Sequence, residues 1–139
     1  MNMVPRGATS AERQFLLRWI AQDGHDLVFQ HRPLAKRKYT FDFAHLASRT
    51  AIEIDGGIWR GTKGAHGGRG AIRDRVKDLE VALDGWHVVR IAPEMMRGSC
   101  GWKTIAKIKQ LVAERAKPSF ERRIRSSSQP IRSVRRSRP

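Results

Sequence analysis

The sequence predicts a single α/β domain in which helices flank a mixed sheet of about four strands. Two patterns support this prediction. Apolar residues recur at helical spacing in three segments, and four short runs are rich in aromatic and β-branched residues. Their order along the chain is αβββαβα, which is typical of a sheet with helices packed on it. A chain of 139 residues is long enough for one domain with a real core.

The first half of the chain predicts one helix followed by three strands. The helix runs from about residue 11 to residue 22, with Ser10 as its N-cap and Asp23-Gly24 after its last turn. A strand-like run then covers residues 27–31. Two further short strands, 39–44 and 50–55, are separated by the turn-like residues 46–49 and therefore form a predicted hairpin.

This hairpin places acidic residues opposite each other. If the turn is four residues long, facing positions sum to 95, so Asp42 lies directly opposite Glu53, with Cβ atoms about 4.5–5.5 Å apart. Alternation along the strand puts Asp55 on the same face as Glu53, while Ile52 and Ile54 point towards a core.

Opposed carboxylates are destabilising, so their concentration indicates a use for the negative potential. We expect a divalent cation, Mg²⁺ with Mn²⁺ able to substitute, bound by Asp42, Glu53 and Asp55. The alternative from these three residues alone is a half-exposed hairpin with scattered acids.

The second half of the chain begins with a glycine-rich stretch and returns to regular structure. Residues 56–70 predict a mobile cationic loop that contains Arg60, Lys63, His66 and Arg69. A second helix, indicated by Ala71, Val76, Leu79 and Leu83, ends at Asp84-Gly85. A buried strand follows at 86–91, and a last helix runs from about residue 102 to residue 115.

The charge of the chain suits a polyanionic partner, and DNA is the expected one. The formal net charge is +15, and residues 115–139 carry nine basic residues against one acidic residue. From residue 117 the chain is rich in Ser, Arg and Pro, which predicts a flexible basic tail; Arg122, Arg123 and Arg125 are expected to contact phosphates there.

Several classes of protein are disfavoured. No apolar run is long enough to cross a membrane and no secretory signal opens the chain, so we expect the cytoplasm of a bacterial or phage-infected cell. The single Cys100 excludes an intramolecular disulfide framework and a structural cysteine zinc site, and its predicted role is inert packing.

The order αβββαβ, with Asp42 on the second strand and Glu53-x-Asp55 on the third, resembles the restriction-endonuclease-like, or PD-(D/E)XK, nuclease superfamily. A more specific likeness covers about residues 10–112. Arg73-Asp74-Arg75-Val76, followed by Gly85-Trp86-His87-Val88-Val89, resembles the RDRxV…GWxV stretch of the very-short-patch-repair (Vsr-like) endonucleases and their small phage and bacterial relatives. Two further segments are similar to family motifs, namely Ser10-Ala11-Glu12 in the first helix and Asp55-Gly56-Gly57-Ile58-Trp59…His66 after the third strand.

This resemblance implies a Mg²⁺-dependent DNA endonuclease with a restriction-endonuclease-like core. Asp42 would be the principal metal ligand and Glu53 would help through its side chain. Asp55 stands where the superfamily usually has a lysine, so His66 as a base or Lys77 as a cation would replace it. Glu12 is a further catalytic candidate, although an acid in the first turn is also favoured by the helix dipole.

The basic residues Arg60, Lys63, Arg69 and Arg73 would hold the DNA backbone. Two other functions stay open at this point: a junction or branched-DNA resolvase of the same fold, and a basic nucleic-acid-binding protein without catalysis. Oligomeric state is open as well, because a monomer with one site would nick DNA whereas a homodimer could cut both strands.

Overall fold

The computed structural model describes residues 4–56 and 68–118. It confirms the predicted order of helices and strands, and a short 3₁₀ helix is added between the last strand and the last helix. In chain order the elements are α1 (Ser10–Ala21), β1 (Leu27–His31), β2 (Phe41–His45), β3 (Thr50–Ile54), α2 (Arg69–Leu83), β4 (His87–Ile91), the 3₁₀ helix (Pro93–Met96) and α3 (Gly98–Arg115).

The four strands form one mixed sheet in the order β1-β2-β3-β4. β1 pairs with β2 and β2 pairs with β3 in antiparallel fashion, whereas β4 runs parallel to β3. A parallel neighbour requires a crossover connection, and α2 lies in that connection. The predicted α/β class with a mixed sheet of four strands is therefore confirmed.

The hairpin has the predicted register. Phe43 lies opposite Ile52 and His45 lies opposite Thr50, and the turn occupies residues 46–49. Inside the turn, the Ser48 hydroxyl lies 2.9 Å from His45 Nδ1 and donates to Thr50 Oγ1 at 2.9 Å. Arg115, at the end of α3, donates to the Ser48 carbonyl at 3.3 Å. These polar contacts fix the turn, and the turn fixes the register on which the acidic residues depend.

Each face of the sheet has its own core. On one face α1, α3 and the 3₁₀ helix pack over Phe43 and Ile52, and Ile54 packs against the same cluster, as the strand alternation predicted. On the other face α2 contributes Val81 to a smaller cluster with Phe41, Ala44, Ala51 and Trp86. Residues 51 and 53 of β3 therefore point towards the α2 side.

Three local predictions are wrong. The N-cap of α1 is Thr9 and not Ser10, because Thr9 is extended and its side chain accepts the Glu12 N–H at 3.3 Å. α3 begins at Gly98, four residues before the predicted start at residue 102. Cys100 is exposed in the first turn of that helix and is not packed.

The apolar residues that predict α2 do not face the core. Val76, Leu79 and Leu83 are exposed, and Val81 is the residue of α2 that is buried. None of the helices in the described part of the chain is long and apolar enough to cross a membrane.

Candidate active site

Asp42 and Glu53 lie at the end of the β2–β3 hairpin that is farthest from its turn. The observed pairing of β2 with β3 ends at Phe43 and Ile52, and Asp42 and Glu53 are the next residues along the two strands. The Asp42 carboxylate is half-buried and accepts a hydrogen bond from the backbone N–H of Ile54 at 2.7 Å. This bond holds the Asp42 side chain against β3, so its position is set by the backbone of the neighbouring strand.

Glu12 of α1 joins this pair. It is 8% exposed, and its carboxylate accepts the Thr9 N–H at 2.6 Å, which completes a capping box. The same side chain lies close enough to Asp42 to raise the pKa of the Asp42 carboxyl group. Glu12 therefore combines the cap of α1 with proximity to a second carboxyl group.

The pKa of Asp42 is raised above its ordinary value of 3.8. Burial is the main cause, and the Ile54 N–H opposes it by stabilising the charged form. The negative charges of Glu12 and Glu53 and the hydrogen bond from Glu12 raise the pKa further. Asp42 is therefore the point at which either a proton or a cation relieves the repulsion among the three carboxylates.

Glu53 is held from two sides. The Tyr39 hydroxyl donates to its Oε1, and Arg90 Nε donates to its Oε2 at 3.1 Å. The pKa of Tyr39 is raised, first by burial and then by the bond to Glu53, so its hydroxyl stays a proton donor. Arg90 of β4 lies beside Glu53 in the parallel register, and its Nη2 also donates to Asp78 of α2 at 2.7 Å.

Lys77 lies next to this network and contacts the ring of Tyr39. Its Nζ lies 3.9 Å from the centre of the Tyr39 ring, which is cation–π geometry. Lys77, Tyr39 and Arg73 line one groove between residues 37–39 and α2, together with Lys38. The groove brings cationic side chains alongside the residue that hydrogen-bonds Glu53.

The three predicted metal ligands do not form a ready-made set. Among the described residues, no group of three or more His, Cys, Asp or Glu side chains is arranged to hold a metal ion. Asp55 follows the end of β3, is exposed, and donates its N–H to the Ile91 carbonyl at 2.8 Å. The donors that are present, carboxylate oxygens crowded around Asp42, nevertheless fit a hard cation that takes one or two protein carboxylates and keeps its water.

Three residues of the network have no counterpart among the sequence-predicted site residues, namely Tyr39, Asp78 and Arg90. A signal for Arg90 is present in the sequence, since it alternates with Val89 and Ile91, which pack in the core on the other face. Its position beside Glu53 depends on the parallel pairing of β3 with β4, which no local pattern contains.

The remaining predicted residues divide into two groups. Arg69 and Arg73 are exposed on α2. The others lie outside the described residues: Arg60, Lys63, His66, Arg122, Arg123 and Arg125.

Comparison with protein-family models gives no match for this chain. Searches among curated proteins and among solved structures also find no significant match.

Proposed function

We propose that this protein is a Mg²⁺-dependent DNA endonuclease with a restriction-endonuclease-like active site. One observation carries the proposal: in a chain of net charge +15, the negative charges of the buried Glu12 and of Glu53 both act on the half-buried Asp42. Like charges in this arrangement oppose folding, and they repel the phosphates that the rest of the surface attracts. A divalent cation would remove both penalties, and that cation is what phosphodiester hydrolysis requires.

In this proposal Asp42 and Glu53 hold the cation, Mg²⁺ or Mn²⁺, with Asp55 as a further carboxylate at the end of β3. When bound, the ion lowers the pKa of the attacking water and neutralises charge on the scissile phosphate. The Ile54 N–H orients Asp42, and the Tyr39 hydroxyl orients Glu53. The negative charge of Glu12 beside Asp42 would add to the attraction of this position for a cation.

The lysine that Asp55 replaces has a candidate substitute in Arg90. Its guanidinium lies beside Glu53, is held in place by Asp78, and is 43% exposed, so it retains N–H groups that can donate to a phosphate oxygen. Arg90 would stabilise the charge that develops on the phosphate. His66, as a base, and Lys77, from beside Tyr39, are the two other candidates for this position.

The DNA backbone would be held by the basic residues that the sequence analysis identifies. Arg69 and Arg73 lie at the start of α2, and the further candidates are Arg60, Lys63, Arg122, Arg123 and Arg125. Contacts of this kind carry affinity without sequence information. A junction or branched-DNA resolvase would use the same chemistry on a different substrate shape.

A basic nucleic-acid-binding protein without catalysis is the second candidate function. It is favoured by the Glu53 carboxylate, whose two oxygens are already hydrogen-bonded by Tyr39 and Arg90. Each carboxylate oxygen has a second lone pair, so these bonds leave room for a cation. The two functions therefore differ in whether a cation binds at Asp42 and Glu53.

Incubation of the protein with supercoiled, linear, single-stranded and four-way-junction DNA, with Mg²⁺ or with a chelator, tests the proposal. We expect cleavage in Mg²⁺ that is lost in Asp42→Asn and in Glu53→Gln. Glu114→Gln is the matched control, because Glu114 is an exposed acid near the end of α3 and makes the same change of charge. DNA binding without cleavage of any substrate would support the second candidate.

A further inference from the structure

An exposed apolar stripe runs along the outer face of α2. Ile72, Val76, Leu79 and Leu83 expose 65%, 44%, 60% and 79% of their surface. Their spacing of four, three and four residues places them in one row on a helix. Val81, which is buried against the sheet, lies on the opposite side of the same helix. A contiguous row of large apolar side chains on a water-exposed face marks an interaction surface.

The charges of α2 indicate what binds there. Residues 69–77 carry four basic side chains and one acidic side chain, a net +3, whereas residues 78–84 carry three acidic side chains and no basic one, a net −3. The first turn has no acid and the last turn has no base, which is the reverse of what a helix dipole favours. This distribution does not stabilise the helix by itself, but a second, antiparallel α2 would place each basic half against an acidic half.

We propose that a second copy of this chain docks on the stripe, with the two α2 helices antiparallel about a two-fold axis between residues 77 and 78. This register pairs Ile72 with Leu83 of the second copy and Val76 with Leu79 of the second copy, so every apolar residue of the stripe has an apolar partner.

The flank of the stripe has a matching pair of charges. Arg73 and Glu80 lie on the same side of the row, seven residues apart, and the antiparallel register brings Arg73 of each copy opposite Glu80 of the other. Glu80 is already oriented by Arg37, whose Nη2 lies 2.6 Å from its Oε1. Its carboxylate has further lone pairs for a second guanidinium. Two-fold symmetry forms this contact twice.

The stripe adjoins the groove beside the candidate active site, because Ile72 and Val76 line the groove that also holds Lys77 and Tyr39. Asp78 lies on the sheet side of α2, where it accepts a hydrogen bond from Arg90. A single pair of helices is a small interface, and interfaces below about 1,200 Å² are typical of weak complexes, so we expect association in the micromolar range. The docking does not depend on the proposed nuclease activity.

Sedimentation equilibrium of the full chain, freed of nucleic acid, tests this docking. We expect a monomer–dimer equilibrium that Leu79→Asp weakens by about tenfold or more, because each dimer then buries two charged side chains in place of two apolar ones. Leu17→Asp on α1 is the matched control, since Leu17 is 57% exposed, and it should leave the equilibrium unchanged. A chain that stays monomeric at high micromolar concentration, or a dimer that Leu79→Asp does not weaken, would overturn the proposal.

Charge reversal tests the register. Arg73→Glu and Glu80→Arg should each weaken the dimer, and the double variant should recover it. Residues seven apart on one helix cannot touch, so recovery reports a contact between copies. If the double variant is weaker than either single variant, the antiparallel pairing of Arg73 with Glu80 is wrong.

Disulfide trapping gives a second measure of whether the two α2 helices are antiparallel. In a Cys100→Ser background, Val76→Cys and Leu79→Cys chains should cross-link with each other when they are mixed and oxidised. Faster cross-linking of each variant with itself would indicate parallel helices and would overturn the register.

Discussion

Replacing Asp42 by Asn removes one negative charge from the point where three carboxylates meet. The Ile54 N–H, which donates to Asp42 at 2.7 Å, keeps an acceptor because the Asn side-chain oxygen can take the same place. The charge that is removed is repelled by the charges of Glu12 and Glu53. The substitution therefore separates the electrostatic role of Asp42 from its role in holding the strands together.

We expect Asp42→Asn to be more stable than the unmutated protein in metal-free buffer at neutral pH. Charged pairs across neighbouring strands are worth roughly 0.2–1 kcal/mol, and here the sign is repulsive. For a domain of this size a change near 1 kcal/mol moves the melting temperature by about 3–6 °C. A gain of a few degrees is therefore the expected result.

The gain should depend on pH in a defined direction. The folded-state pKa of Asp42 is raised above 3.8, mainly by burial, so the folded protein holds this proton more tightly than the unfolded chain does. Ionised Asp42 therefore destabilises the folded protein in a pH-dependent way. This destabilisation is absent below pH 3.8, grows as the pH rises from 3.8 to the folded-state pKa, and is complete above that pKa. The advantage of Asn should be small at about pH 3 and full at neutral pH.

Scanning calorimetry across this pH range, with chelator and then with Mg²⁺, measures both effects. Mg²⁺ should stabilise the unmutated protein by mass action and should have little effect on Asp42→Asn. Glu114→Gln again serves as the control. If Asp42→Asn is less stable at neutral pH, or if its gain is the same at low pH, the repulsion inferred around Asp42 is wrong; if the variant still cleaves DNA, the site is wrong.

Three further outcomes are expected. Arg90→Met should lower the cleavage rate by about 10²-fold, the scale of removing one donor to a developing charge, and Arg90→Lys should keep part of the activity, as single-turnover rates would show. If His66 is the base, the rate of a chemistry-limited step rises between about pH 6 and pH 7, and His66→Ala removes this rise. If Lys77 acts as a fixed cation, the rate shows no such rise, and Lys77→Arg retains activity that Lys77→Met loses. Truncation after Lys117 should flatten the salt dependence of DNA binding by about 0.9 in slope for each phosphate that the tail neutralises, and an unchanged slope would mean that the tail serves another purpose.

The sequence predicted the elements and the hairpin register because both are local. Helical spacing, strand alternation and a four-residue turn each involve residues close in the chain, and together they predicted the pairing of Phe43 with Ile52 and of His45 with Thr50. The N-cap of α1 was missed by one residue, since Thr9 and Ser10 are both good caps and the backbone geometry decides between them. The restriction-endonuclease-like assignment of this fold stays a prediction.

The partners of the acidic residues were not predictable in the same way. Contact between Glu12 and Asp42 joins α1 to β2, and contact between Arg90 and Glu53 joins β4 to β3, so both depend on tertiary packing. Apolar spacing was also ambiguous on α2, because the pattern that predicts an amphipathic helix does not say which surface covers its apolar row. There the row points outward and Val81 faces the sheet.

The charge of the whole chain and the charge of the candidate site act against each other, and this opposition is the strongest argument for a cation. A net charge of +15 draws phosphates to the surface, yet a phosphate at the end of β3 would meet Asp42, Glu12 and Glu53. Arg90 neutralises only part of this charge, because it is shared between Glu53 and Asp78. A protein that only binds DNA would gain both stability and affinity from amides at these positions. A divalent cation between the carboxylates and the phosphate removes the penalty in folding and the penalty in binding together, since it is attracted to both groups. This electrostatic argument supports the proposed cation at Asp42 and Glu53, and the cleavage assays of Asp42→Asn and Glu53→Gln test whether that cation serves hydrolysis.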